Sequence, residues 1–240
     1  MAHESPPGSG PGTLDAAAVR AMFDRIAGVY DRMNSVMTAG MHHRWRDRAV
    51  DLALLSPGDR ALDVATGTGD LAGALERRVG PDGEVVGLDF SEGMLERARA
   101  KVPGVRFDWG DALALPYGDE SFDAVTVGFG VRNFADLSRG LEEMARVVRP
   151  GGRVVVLEIT TPQRPPLSWF FGMWFDRVVP GLGRLAGDPD AYSYLPSSVR
   201  RFPEPEGLAA LMAAAGLHDV RWIVTGGGII ALHAGTVGAR

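Results

Sequence analysis

Short apolar runs that end in small or acidic residues alternate along the chain with longer stretches whose apolar positions recur every three to four residues. The runs at 61–65, 84–88, 105–109, 122–127 and 153–159 are too short for helices and rich in valine, which predicts buried strands. Between them, 70–79, 91–101 and 136–147 carry the helical period, and Ser91 stands where an N-cap belongs. Strands alternating with helices predict an α/β fold: a doubly wound, mostly parallel sheet with right-handed crossovers. A helix at 205–215 leads into two more strands, 219–224 and 229–233, separated by Gly226, Gly227 and Gly228. That short separation predicts an antiparallel pair at the end of the sheet. Ahead of the sheet, Val19, Met22, Phe23 and Ile26 share one helical face, the period breaks at Thr38, Ala39 and Gly40, and a second helix runs through Trp45 and Leu52. The expected organisation is a disordered tail at 1–13, an N-terminal helical lid at 14–56, and a main domain at 57–240 with an aromatic, proline-punctuated insertion at about 162–204.

Composition narrows the chemistry. With 45% hydrophobic and 23% charged residues the chain can bury a full core. Its net charge of −5 has the wrong sign for a protein that neutralises phosphates, so nucleic acid is not the expected partner. There is no cysteine, which removes disulfides, thiolate metal sites and cysteine nucleophiles. Lys101 is the only lysine, at the end of a surface helix, so arginine is the cation available to a site. His42 and His43 lack a third ligand at metal spacing, so no metal site is expected. The segment 1–13 has neither the basic start nor the apolar centre of a signal peptide, and 167–185 is interrupted by Asp176, Arg177, Pro180 and Arg184. A soluble, cytoplasmic protein is expected; peripheral contact with a membrane and pairing with a second copy both stay open.

The turn after the first predicted strand reads Asp63-Val64-Ala65-Thr66-Gly67-Thr68-Gly69-Asp70. Its glycines let a ligand approach the backbone where a helix N-terminus offers free N–H groups. Alone, Gly67, Gly69 and Ala72 fit the loose dinucleotide pattern no better than a ligand-free turn. Asp89 ends the second strand, 26 positions after Asp63, where a carboxylate accepts from ribose hydroxyls. Asp111, followed by Ala112, stands at the end of the third strand, although a surface turn would also explain it. Carboxylates at three successive strand ends point to a ligand at the sheet's rim.

The ordered series DVATGTGD, GLDFSEGML, GDALALPYGDESFDAV and RVVRPGGRVVVLE resembles the motif set of class I S-adenosylmethionine-dependent methyltransferases. That resemblance implies a Rossmann-like seven-stranded sheet with one reversed strand and S-adenosylmethionine as methyl donor. The turn through Thr68 would hold the methionine moiety, Asp89 the ribose, and Asp111 with Ala112 the adenine. A cationic sulfonium suits an acidic pocket better than a pyrophosphate does.

A narrower resemblance rests on Tyr30 through Thr38 leading to His42 and Trp45, on Gly128 through Asn133, on Arg146 through Gly152 with Glu158-Ile159-Thr160, on Tyr192 through Pro196 with Ser198, Arg200 and Phe202, and on Gly226 through His233. Together these are similar to the ubiquinone/menaquinone C-methyltransferase family. Gly128 departs from it, since serine is usual there, which puts one polar cofactor contact in doubt. Thr38, Thr160 and Arg149 replace serine, serine and lysine and keep the hydroxyl or the charge.

The implied reaction methylates a ring carbon of a polyprenylated quinol, either demethylmenaquinol or the benzoquinol precursor of ubiquinone. The ring must be oriented, its oxygen stabilised as a phenolate, protons removed and water excluded. Arg132 is the expected electrostatic stabiliser, since arginine stays protonated, and Asn133 would orient the ring oxygen. Tyr30 and Asp31 on the lid would complete a proton relay. A structural ion pair for Arg132 and a packing role for Tyr30 compete with these roles. A core or rim role is expected for His233, and packing for Trp169, Phe170, Phe171, Met173, Trp174 and Phe175, with a path for a prenyl tail as the lesser reading. A nicotinamide-dependent oxidoreductase and a cofactor-binding module without turnover are the readings from other classes.

Overall fold

The computed structural model describes residues 16–28, 30, 31, 35, 38, 40–173 and 189–238. The expected tail at 1–13, and Trp174 and Phe175 of the aromatic cluster, lie outside the described residues. Helices α1 (Ala16–Ile26) and α2 (His42–Leu52) precede β1 (Arg60–Val64), α3 (Asp70–Val79), β2 (Glu84–Asp89), α4 (Glu92–Lys101), β3 (Arg106–Trp109) and β4 (Phe122–Gly128). A 3₁₀ turn at Val131–Asn133 leads to α5 (Leu137–Val147), β5 (Val148–Ile159), α6 (Leu167–Met173), α7 (Pro189–Arg201), α8 (Pro205–Ala214), β6 (Leu217–Thr225) and β7 (Ile230–Val237). The seven strands order as β3-β2-β1-β4-β5-β7-β6. β7 alone is reversed, antiparallel to both β5 and β6.

Apolar strands with both faces covered are the signature of a doubly wound sheet. Leu71, Leu75 and Leu95 of α3 and α4 pack on one face, and Leu141, Met144, Leu208 and Met212 of α5 and α8 on the other. Trp45, Ala49 and Val50 of α2 join the first of these clusters, so the second lid helix belongs to the sheet's own core. α1 is different: Val19 and Met22 form a small cluster with Tyr194 of α7.

The antiparallel pair expected at the end of the sheet is present, but the later strand is not the outer one. β7 is buried along nearly its whole length, while β6 forms the edge and exposes Trp222, Ile223 and Val224. Small residues in β7, Ala231, Ala234 and Gly235, suit a strand enclosed between two neighbours.

β1 and β4 are neighbours whose crossovers run in opposite directions, which opens a crevice at their carboxyl ends. The chain leaves both strands through strained residues: Ala65 at φ 51° and Phe129 at φ 61°, each in the left-handed region that costs a non-glycine residue about 1–3 kcal/mol. The two exits touch. A Cβ at Gly130 would lie 2.5 Å from that of Ala65, so only glycine lets the turns close on each other.

Candidate active site

The rim is built from hydrogen bonds that tie strand ends together. Asp63 sits opposite Thr126 in the β1–β4 register and accepts from the hydroxyls of Thr126 at 2.7 Å and Thr66 at 2.6 Å. Burial pushes its carboxyl up to about 6, opposed by those two hydroxyls and by the charge of Arg46. Asp89 accepts the Gly67 N–H at 2.8 Å on one oxygen and the Ser91 N–H at 2.9 Å on the other, so the glycine turn is bolted to the end of β2. Burial also raises this carboxyl to about 6, against the pull of the backbone N–H groups. Ser91 caps α4 as the sequence predicts, accepting from the Met94 N–H at 3.2 Å while its hydroxyl donates to Asp24 of α1.

Gly67 and Gly69 have φ 57° and 82°, which the turn requires, and the position of a Cβ on Gly67 is open space. Above them lies a cleft of about 990 Å³, part of it open to solvent. Asp63, Gly67, Thr68, Asp89, Asp111, Ala112 and Gly128 all line it, along with Tyr30 and Asn133. Asp111 is exposed and closes its own turn by accepting the Leu113 N–H at 2.9 Å, so the surface-turn reading and a place on the cleft wall hold together. The rim carboxylates thus differ: two are buried and structurally engaged, and the third is exposed to solvent.

The lid meets this floor through polar pins. Tyr30 lies edge-on to Phe23, ring centroids 6.3 Å apart, and both line the cleft. Asp31 stands outside the cleft wall, accepting from the Thr68 hydroxyl at 2.6 Å and pairing with Lys101 at 2.7 Å. Lys101, set aside on the sequence as the end of a surface helix, also pairs with Asp70, so the lone lysine staples the lid to α3. Arg46 of α2 pairs with Asp70 at 3.2 Å and lies over the Phe129 ring, 5.7 Å from its centroid. His42 is lowered to about 4 by burial and by Arg46, which leaves it neutral, and it shares a 2.6 Å hydrogen bond with Thr38. The His42 and His43 rings do approach, at 4.0 Å, yet no group of three metal-binding side chains occurs among the described residues.

Arg132 and Asn133 separate. Asn133 faces the cleft and accepts from the Tyr194 hydroxyl at 3.1 Å. Arg132 lies outside the lining, buried, with Nη1 on Glu158 at 2.6 Å and on the Phe129 carbonyl. The ion pair weighed for Arg132 on the sequence is therefore formed. His233 is buried, bonded through Nε2 to the Pro205 carbonyl at 2.8 Å and lowered by burial.

Three participants were not singled out on the sequence. Glu158, the last residue but one of β5, stands in a recognised run without a role of its own, although a carboxylate near a strand end is the signal that marks Asp89. Arg46 shares the buried face of α2 with His42, Trp45, Ala49 and Val50, and a cation on an apolar face is itself a signal. Tyr194 stood within a recognised run but reaches Asn133 only through tertiary contact.

Comparison with known proteins gives a consistent picture. Residues 12–237 match the model of the ubiE/COQ5 methyltransferase family. The chain is 50% identical over 219 residues to demethylmenaquinone methyltransferase of Thermus thermophilus, covering 89% of this chain and 99% of that one. It is 42% identical over 228 residues to the ubiquinone/menaquinone biosynthesis C-methyltransferase UbiE of Geobacter sulfurreducens, covering 92% and 89%. Among solved structures, a SAM-dependent methyltransferase of Thermotoga maritima superposes with TM-score 0.64 at 23% identity over 90% of this chain and 98% of that one. The [4+2]-cyclase SpnF reaches 0.68 at 19% identity over 93% and 97%, a likeness of fold alone.

Proposed function

The chain belongs to the ubiE/COQ5 methyltransferase family, and from that premise we propose that it transfers a methyl group from S-adenosylmethionine to a ring carbon of demethylmenaquinol, giving menaquinol. The observation that carries this reading is the acid-lined cleft at the β1–β4 switch point, with a glycine turn as its floor and Asp89 fixed at its wall. The residues present fit the donor: buried Asp89 for two ribose hydroxyls, Asp111 and Ala112 for the adenine edge, open space above Gly67 and Thr68 for the aminoacyl arm. Gly128 lines the cleft as well, and a Cβ there would stand 3.2 Å from Leu71, a tight contact that glycine avoids where serine is usual. When bound, the donor supplies an electrophilic methyl on a sulfonium, a cation that the ionised rim favours.

The acceptor ring has to lie in line with that methyl, against Phe129 and Asn133. Asn133, held by Tyr194, orients a ring oxygen. Arg132 acts from beneath the wall, its charge favouring the quinolate while Glu158 fixes its position. Tyr30 closes the cleft on the lid side, and Asp31 serves as a positioning residue for Thr68. A polyprenylated acceptor resides in the bilayer, so the enzyme meets it at the cytoplasmic membrane face. Among the described residues no helix is long and apolar enough to cross a membrane.

The test is product analysis with purified protein, methyl-labelled donor and both quinol classes. Methylated naphthoquinol as the dominant product is expected. Transfer only to the benzoquinol would move the substrate to the ubiquinone precursor, and NAD binding without donor binding in calorimetry would overturn the class.

A further inference from the structure

Among the described residues, three buried side-chain nitrogens lack a hydrogen-bond partner: Arg46 Nη1, Arg132 Nε and His233 Nδ1. Of these side chains only Arg46 lines the cleft. It is more than nine-tenths buried, its Nη2 is committed to Asp70, and its guanidinium lies over Phe129. A buried cationic donor without an acceptor is costly, and the cost is relieved by any anion that reaches it.

The cleft gives that anion a place. Asp111 and Ala112 mark one end, beyond β3, and Asp89 marks the end of β2. The same cleft is lined by Gly67, Thr68 and Asp70, which carry it to the start of α3. Arg46 is waiting there, bound to Asp70, the first residue of that helix. The arm of the donor proposed above is an amino acid that ends in a carboxylate. We propose that Arg46 is the receptor for this α-carboxylate, with Nη2 kept on Asp70 as a pivot while Nη1 turns into the cleft. The assignment rests on the methyl-donor reading. Lys101 supports it by balancing Asp70 from the other side, so the Asp70 carboxylate does not consume the arginine's whole charge. A lysine in place of Arg46 would present one compact charge and no second arm for the pivot.

Two ligands separate the arm from the nucleoside: S-adenosylhomocysteine carries the aminoacyl group, and 5′-methylthioadenosine keeps adenine, ribose and sulfur without it. Binding of each to the full chain is measured by calorimetry, with thermal melting as the fold control. Arg46→Gln is expected to weaken S-adenosylhomocysteine by about 10- to 100-fold, the range for a hydrogen bond to a charged group, and to change methylthioadenosine by less than about threefold. Asp70→Asn breaks the same ion pair but leaves the cation, and should retain the wild-type preference for S-adenosylhomocysteine. The assignment is overturned if Arg46→Gln weakens both ligands alike or neither, or if Asp70→Asn abolishes the preference as fully as Arg46→Gln does. Failure of the wild type to bind either ligand would instead sink the methyl-donor reading itself.

Discussion

Asp89 and Asp31 both hold the glycine turn, from opposite sides. Asp89 does so from the end of β2, buried, with a backbone N–H on each oxygen. Asp31 does so from the lid, with its side chain 44% exposed and its partners a hydroxyl and a lysine. The first belongs to a floor whose strands are packed on both faces, and the second to a cover whose first helix has only a small apolar cluster beneath it. A floor of that kind opens only with the whole domain, while polar pins release locally. The contrast matches the proposed division of labour, with a firmly held seat for the donor and a more loosely held cover on the acceptor's side of the cleft.

The severest trial of the floor is Arg132→Ala. It strands buried Glu158 without its cation, which should cost about 3–5 kcal/mol in urea denaturation and abolish methyl transfer in single-turnover assays. The pair Arg132→Met with Glu158→Leu separates the two effects, because it should recover most of the stability and remain inactive. Wild-type transfer rates in that double variant would make Arg132 purely structural.

Next in size is Asp89→Asn, expected to weaken S-adenosylhomocysteine about 10- to 100-fold in calorimetry, since it removes the charge proposed to accept the ribose hydroxyls. Binding unchanged by that substitution would detach the ribose from β2.

The same carboxylate gives a pH signature. Asp63 and Asp89 are raised from 3.8 to about 6, so each binds a proton more tightly in the folded chain than in the unfolded one. The stability they contribute to the free protein is complete below pH 4 and is lost as pH rises through about 6. Donor affinity is expected to run the other way, because the proposed ribose contact needs Asp89 ionised. S-adenosylhomocysteine should bind about tenfold more weakly at pH 5 than at pH 7, and the Asp89→Asn variant should lose that step.

The smallest expected effect lies in the cover. Asp31→Ala or Lys101→Ala should change global stability by less than about 1 kcal/mol, yet speed hydrogen exchange in α1 while leaving β1 and β4 protected. Equal acceleration in lid and sheet would erase the distinction between them.

The same division explains what could be read from the chain beforehand. Asp89 and Asp111 were legible because each closely follows an apolar run, and Asp63 because it is the one charge inside its own run, both of them local facts. Ser91 was legible as a cap for the same reason. The partners of Asp31 and Arg132 were not, because Lys101 lies 70 positions from Asp31 and Glu158 lies 26 from Arg132. Such contacts exist only after the sheet has set the register. The place of β7 escaped for a related reason: alternation and glycines announce a hairpin, but which arm faces solvent depends on what β5 offers as a neighbour.

That arrangement of β7 also orders events during synthesis. Strands β1 to β5 find their neighbours among segments already made, and the parallel part of the sheet can assemble as the chain leaves the ribosome. β6 has β7 as its sheet neighbour, so it waits, with Trp222, Ile223 and Val224 uncovered, until the strand that follows it has been translated. A stalled or prematurely terminated message would therefore release a nascent chain with a nearly finished donor seat and a sticky, unpaired edge, the kind of substrate on which chaperones and proteases act.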